Sequence, residues 1–217
     1  MDAQDTMQDQ PMPRGALAKI EHILRTAETD ADGNIGLGAL SDALEERAFA
    51  LLLLILALPC CLPFVYLLPQ IVALPMVFLA WQMARGRRSP WLPETLRRRQ
   101  LPVKALLDVT ARVKRFAGWL ERLAHPRLVG LTGLAGMRTL GALLIIPCLS
   151  ILVPLPLTNT VPGIGVAIAS AGLIERDGLF VVLGLLVGLV WVLALVIGGP
   201  TIIYFLVDWL RLRVAAA

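Results

Sequence analysis

The sequence predicts an all-α integral membrane protein containing two proline-broken helical hairpins. Hydrophobic residues make up 57% of the 217-residue chain and mean hydropathy is +0.74, above the usual range of a soluble domain. Three stretches carry no charge: 48–84 over 37 residues, 139–174 over 36 and 178–207 over 30. Each exceeds the roughly 20 residues needed to cross a bilayer. Two of them are broken alike, at Pro59, Pro63, Pro69 and Pro75, and at Pro147, Pro154, Pro156 and Pro162. A shift of 93 positions places Pro63 on Pro156, Pro69 on Pro162 and Gln82 on Glu175. Interrupted hydrophobic segments in corresponding halves are a mark of transport-type folds with internal repeats.

Charge divides the chain further. Residues 1–46 hold ten acidic and three basic side chains, whereas 85–127 hold twelve basic and three acidic. Basic residues at the ends of spans face the cytoplasm, so 85–127 is expected inside. Hydrophobic segments flank this block on both sides, which argues against nucleic acid as its partner and for anionic lipid head groups. The division is thus a polar acidic segment (1–34), a first hairpin repeat (35–84), a basic linker (85–127) and a second repeat with a C-terminal span (128–217). The first 46 residues are too polar for a cleavable signal peptide. The chain would insert through its own hydrophobic segments, as a multi-pass protein of a bacterial inner membrane.

Taken in order, Met1 to Pro13 has no apolar period and is expected to be disordered. Leu17, Ile20, Ile23 and Leu24 share one face of a short amphipathic helix. Ser41 offers a helix cap, with Asp42, Glu45 and Glu46 in the first turns, and that helix runs into the first apolar stretch. Pro59 and Pro63 interrupt it because proline lacks an amide proton and clashes with the preceding turn. Pro69 then suits the first turn of a second helix ending at Ala84. Arms of about 11–15 residues reach roughly 16–22 Å, short of a core of about 30 Å. The hairpins are therefore re-entrant, or short and tilted.

The basic linker opens with Arg85-Gly-Arg-Arg-Ser-Pro-Trp-Leu-Pro93, bracketed by Trp81 and Trp91, and continues through Arg97, Arg98 and Arg99. Residues 103–123 form an amphipathic helix with Arg112, Lys114 and Arg115 on its polar face. Such a helix lies in the membrane interface or packs on the protein's own surface. Gly130, Gly133 and Gly136 would give a flat packing face. Residues 179–198 read as one full span, with Gly184 and Gly188 as a packing motif. The apolar stretch from Leu128 could carry the chain across before the second hairpin, so the repeats are expected to be inverted, their elbows meeting near the midplane.

Catalytic chemistry is hard to assemble. His22 and His125 have no metal-ligand spacing to another residue, and Cys60, Cys61 and Cys148 lie inside uncharged runs as buried thiols. No enzyme activity, metal or cofactor is expected. Half-helices beginning at Pro69 and Pro162 would aim free amide protons and positive dipole ends at an anion. Thr158, Asn159 and Thr160 add polar groups there, and Gln82 and Arg138 complete the candidate substrate-binding set. Asn159 has a plainer reading as a helix cap. Glu175, Arg176 and Asp177 are either a coupling cluster, with a protonatable carboxylate and a phosphate-binding arginine, or a solvated turn. Arg138 is either an intramembrane cation or one that snorkels to the interface. Arg97, Arg98, Arg99, Arg112, Lys114 and Arg115 are the expected lipid-interface residues.

Several segments resemble the ExoD exopolysaccharide-synthesis family. They are Leu37-Gly-Ala-Leu with Leu44-Glu-Glu-Arg47, Gln82-Met-Ala-Arg-Gly-Arg-Arg-Ser-Pro-Trp-Leu-Pro93, Pro126-Arg127-Leu128, Asn159-Thr-Val-Pro-Gly163 and Gly172-Leu-Ile-Glu-Arg-Asp-Gly178. The resemblance runs from about residue 35 to the C-terminus and implies an inner-membrane protein of surface-polysaccharide production, without supplying catalytic residues. Two functions follow as expectations. The protein transports or flips an anionic lipid-linked precursor or small anion between its elbows, or it is a non-catalytic accessory subunit. Polysaccharide-synthesis proteins and a second copy of the chain are the expected protein partners.

Overall fold

The computed structural model describes residues 21–22, 33–62, 67–108, 133–153 and 158–215. Strand β1 (Asn34–Gly36) leads into α1 (Leu37–Leu44) and then α2 (Glu46–Cys60). Helices α3 (Leu68–Ala84) and α4 (Glu94–Arg97) precede strand β2 (Gln100–Pro102). Helices α5 (Leu134–Leu152), α6 (Thr160–Glu175) and α7 (Gly178–Ala215) follow. Among the described residues the regular structure is helical apart from one short antiparallel ribbon, in keeping with the expected all-α class. The ribbon pairs Ile35 with Leu101 and was not anticipated. It ties the first segment to the linker over a small core of Ile35, Leu40, Leu44 and Ala48, with Leu101, Val103 and Leu106 packed against it.

Proline marks two helix starts as the sequence implied, but Pro75, Pro147 and Pro200, expected as interruptions, lie inside α3, α5 and α7. Pro69 sits in the first turn of α3, which ends at Ala84 as expected. Pro162 occupies the first turn of α6. A first-turn residue has no intrahelical amide bond to lose. Pro59 does not stop α2, however; it lies inside the last turn, and the helix continues to Cys60. The four arms α2, α3, α5 and α6 contain 15, 17, 19 and 16 residues, or roughly 22–28 Å at about 1.5 Å per residue. They are longer than expected, yet each is still short of a 30 Å core.

The expected Ser41 cap is also corrected. Ser41 lies within α1 and is buried, and the cap position belongs to Gly36. The chain breaks instead at Glu45, whose φ of 49° turns it between α1 and α2. Residues 103–108 are helical, while Arg112, Lys114 and Arg115 lie outside the described residues. So do the 17–20 and 23–24 apolar positions, His125, and the Leu128 start of the proposed crossing.

The four arms pack as two antiparallel cross-pairs, α2 on α6 and α3 on α5. At one end of the assembly, Cys60 closing α2 meets Gly163 near the start of α6, and Cys148 near the end of α5 lies close to Cys60. At the other end, Gly141 near the start of α5 abuts Met83 and Ala84, and Gly86 is covered by Arg138. Arg47, at the start of α2, feels the charges of Glu175 and Arg176 at the end of α6. Both helix breaks are therefore at the same end, and the charged termini of the four arms are at the opposite one. This replaces the inverted arrangement: the pairs stand side by side, pointing the same way. The interior is filled by Phe49, Leu53, Met76, Leu144, Ile151 and Val166, all fully buried.

Helix α7 doubles back on α6 through contacts that need glycine. A Cβ on Gly165 would overlap the backbone of Gly184 and Gly188, and one on Gly184 would overlap Ala169. Gly184 and Gly188 thus form the packing motif the sequence suggested. The indole of Trp191 donates to the Thr158 carbonyl at 3.0 Å, which fixes α7 at the break end. Gly178 to Trp191 is 13 residues, roughly 20 Å, and α7 then runs on past the bundle. Val196 and Ile197 are 65% exposed, and nothing approaches the Cβ positions of Gly198 or Gly199. Segment Gly178–Thr201 has a hydropathy of 3.1 and is long and apolar enough to cross a membrane; only 22% of its apolar window is buried inside the protein.

Gly184→Leu should therefore push α7 off α6, lowering stability by at least about 1–3 kcal/mol in detergent unfolding measurements. Gly198→Leu, in open space, should leave the transition where it is.

Candidate functional site

The candidate residues fall at three separate places. Thr158, Asn159 and Thr160 lie at the break end, half-buried. Asn159 holds the cap position of α6, but its side chain makes no capping bond. Its carbonyl accepts from the Gly163 amide at 3.0 Å, and its Oδ1 accepts from the Thr158 hydroxyl at 3.5 Å. The expected capping role is thus taken by backbone alone.

Gln82, Arg138, Glu175 and Arg176 lie at the opposite end, a length of α6 away from Asn159, roughly 24 Å. The expected substrate-binding set is divided between the two ends of the bundle. Arg47 joins the charged end, and sequence reading missed it because it looked like the edge of an apolar run. One guanidinium nitrogen of Arg47, Nη1, is buried without a hydrogen-bond partner among the described residues. Burial, and then Arg176, push its pKa below the ordinary arginine range, while Glu175 works the other way.

The 175–177 turn is a structural device. Arg176 adopts the left-handed conformation that ends α6, with φ 57°. The Asp177 amide donates to the Gly172 carbonyl at 2.8 Å, and the Arg176 amide to Leu173 at 3.3 Å. These two bonds satisfy carbonyls that the end of the helix leaves open. Asp177 is 0% exposed, and its Oδ1 accepts from the amides of Leu179 at 2.9 Å and Phe180 at 3.4 Å. A carboxylate placed this way caps α7 and complements its dipole.

Gln82 is also committed. It is 1% exposed; its Oε1 accepts from the Trp91 amide at 2.6 Å, and its Nε2 donates to the Trp91 carbonyl at 3.3 Å. This two-point clamp holds the segment after α3 against the helix and sets the Trp91 ring edge-on to Phe78, centroids 6.0 Å apart. Phe78 also stacks on Trp81 at 5.9 Å, and the Arg85 guanidinium lies 4.4 Å above the Trp81 ring. Phe78, Trp81, Gln82, Arg85, Arg87 and Trp91 enclose a cavity of about 290 Å³.

The third place is the linker surface. Arg97 pairs with Asp42 at 2.7 Å and Arg98 with Glu94 at 2.8 Å. The hydrogen bond from Arg98 holds the Glu94 carboxyl below its usual range. The Arg99 carbonyl accepts from the Leu37 amide. Arg97 also packs on Gly38, so this arginine helps join α1 to α4. No group of three metal-ligating side chains is assembled among the described residues.

Residues 20–197 match the family described as exopolysaccharide synthesis, ExoD. The chain belongs to the ExoD family. An uncharacterized protein of Synechocystis, slr1875, is 33% identical over 188 residues, covering 80% of this chain and 86% of that protein. Protein ExoD of Rhizobium meliloti is 32% identical over 145 residues, covering 63% of this chain and 58% of that protein. No solved structure matches. Family membership supports a role in exopolysaccharide or cell-envelope biogenesis.

Two outcomes follow from the geometry. Gln82→Leu strands the Trp91 amide and carbonyl and should cost about 1–3 kcal/mol in thermal or denaturant unfolding. Asp177→Ala should cost about 1 kcal/mol, whereas Asp177→Asn, which still accepts the α7 amides, should lose much less.

Proposed function

We propose that this ExoD-family protein is embedded in the bacterial inner membrane and moves an anionic lipid-linked precursor of envelope polysaccharide. The observation that carries this reading is the convergence of both helix breaks at one end of the bundle, where Cys60 meets Gly163 and Trp191 of α7 bonds to Thr158. With α7 spanning the membrane, the breaks lie roughly 20 Å along a path of about 30 Å. Irregular backbone at that depth is tolerated only where protein buries it or a water-filled cavity meets it. Thr158, Asn159 and Thr160 would then supply the polar contacts for a head group in transit, beside the open amides and positive dipole end of α6.

The reading treats α2–α3 and α5–α6 as parallel repeats. The 93-residue shift carries Cys60, Leu68 and Ala84 to within two positions of Leu152, Thr160 and Glu175. The same shift exchanges the two cross-pairs, since α2 on α6 becomes α5 on α3. Basic residues at the charged end would face the cytoplasm.

Asp177 has no coupling role in this proposal, because its carboxylate is engaged as the α7 cap, far from the breaks. A second reading, an accessory subunit of a polysaccharide assembly complex, is favoured by that same engagement, which removes the expected coupling group. Reconstituted liposomes carrying a fluorescent polyprenyl phosphate separate the two. Transport predicts loss of the label from the protected leaflet, at least severalfold slower in Asn159→Ala and unchanged in Asp177→Asn. Folded protein that supports no flux would overturn transport; co-purification with a polysaccharide synthase, lost on Arg97→Ala, Arg98→Ala and Arg99→Ala together, would establish the accessory role.

A further inference from the structure

We infer that the cavity closed by Gln82 and Trp91 is a binding site for the phosphate of an anionic membrane lipid, its acyl chains lying along α3. Three features meet there. The outer face of α3 carries Leu67, Ile71, Leu74, Phe78 and Trp81, all exposed, from the break end to the charged end. Their three- and four-residue spacing makes one continuous apolar stripe, about 20 Å long from Leu68 to Trp81. That stripe ends in an aromatic collar: Phe78, Trp81 and Trp91 are 40–49% exposed, and the Phe78 ring packs on both tryptophans. Amphipathic rings of this kind sit at head-group level.

Directly beyond the collar the lining changes to cationic. Arg85 and Arg87 line the cavity, and among the described residues no carboxylate pairs with either. Their guanidinium forks match phosphate oxygens, and a partly desolvated, charge-assisted bond is the stronger kind. Arg85 is already held over Trp81, and the Gln82 clamp fixes the strap that carries Arg87 and Trp91. The pocket is thus positioned before any ligand arrives. The order of apolar stripe, aromatic collar and arginine pair reproduces, along one helix, the order of acyl chain, glycerol region and phosphate in a lipid.

This site does not depend on transport, since an accessory protein would hold lipid in the same way. It is distinct from the break end, which lies at the far end of the bundle.

The test is native mass spectrometry of the full chain released from mixed phosphatidic acid and phosphatidylcholine, with folding checked by circular dichroism. The wild type should retain phosphatidic acid in preference, and Arg85→Gln with Arg87→Gln should reduce that preference about tenfold. Arg85→Lys with Arg87→Lys, which keeps the charges and loses the forks, should fall between. Arg88→Gln, an exposed neighbour outside the cavity, should match the wild type. Equal retention of both lipids by the wild type, or an Arg88→Gln effect as large as that of the pair, would overturn the site. Displacement of phosphatidic acid by millimolar inorganic phosphate would overturn its assignment to a lipid, making it a free-anion site.

Discussion

The close approach of α6 to its neighbours is the constraint on which the rest of the bundle depends. Gly163 lets α6 cross α2 at Cys60, and Gly165, Gly172, Gly184 and Gly188 let it lie against α7. Backbones this close gain dispersion contact along their whole length, provided that the surfaces fit. Small residues on two sides of α6 provide that fit. Once α6 is gripped between α2 and α7, its end is fixed beside Arg47 and its start beside Cys60. Both helix breaks are then held at one end.

Polar groups at the charged end serve this geometry. Asp177 caps α7, Arg176 closes α6, and Gln82 clamps the strap after α3. Each satisfies backbone atoms that burial would otherwise leave unpaired, at a cost comparable to a lost hydrogen bond. A buried carboxylate between two apolar runs suggests coupling chemistry from sequence, but the same residue is required where two helices reverse within two residues. The arginines divide similarly. Arg97 and Arg98 are engaged with nearby carboxylates, whereas Arg85 and Arg87 project around a cavity rimmed by aromatic rings.

Much of the fold was legible because proline and charge punctuate it. Pro69 and Pro162 announced the starts of α3 and α6, Arg85 the end of α3, and the 175–178 turn the reversal into α7. Helix direction was not legible: periodicity carries no information about which end of one hairpin meets which end of another, and the inverted arrangement failed there. The β1–β2 ribbon was hidden because three-residue strands such as Asn34-Ile-Gly36 have no readable alternation. The break at Glu45 was hidden because a non-glycine residue at positive φ leaves no compositional trace. At the candidate site, residue type located polar groups beside a helix break, as for Thr158 to Thr160. It could not tell which polar groups already had backbone partners, as Gln82 and Asp177 do.

If the bundle is embedded as proposed, the unequal lengths of α7 and the four arms have a mechanical consequence. A bilayer adjusts to a short hydrophobic element by thinning around it, at fractions of a kcal/mol per ångström of mismatch. Arms of roughly 22–28 Å would draw the two membrane surfaces together on their flank, while α7, whose apolar segment is 24 residues long, would hold them apart on its own. The protein would then sit in a tilted funnel of lipid, shallowest over the Thr158–Thr160 break. Were a head group to cross there, as the transport proposal requires, it would have less hydrocarbon to traverse than elsewhere on the bilayer, before any side chain touched it.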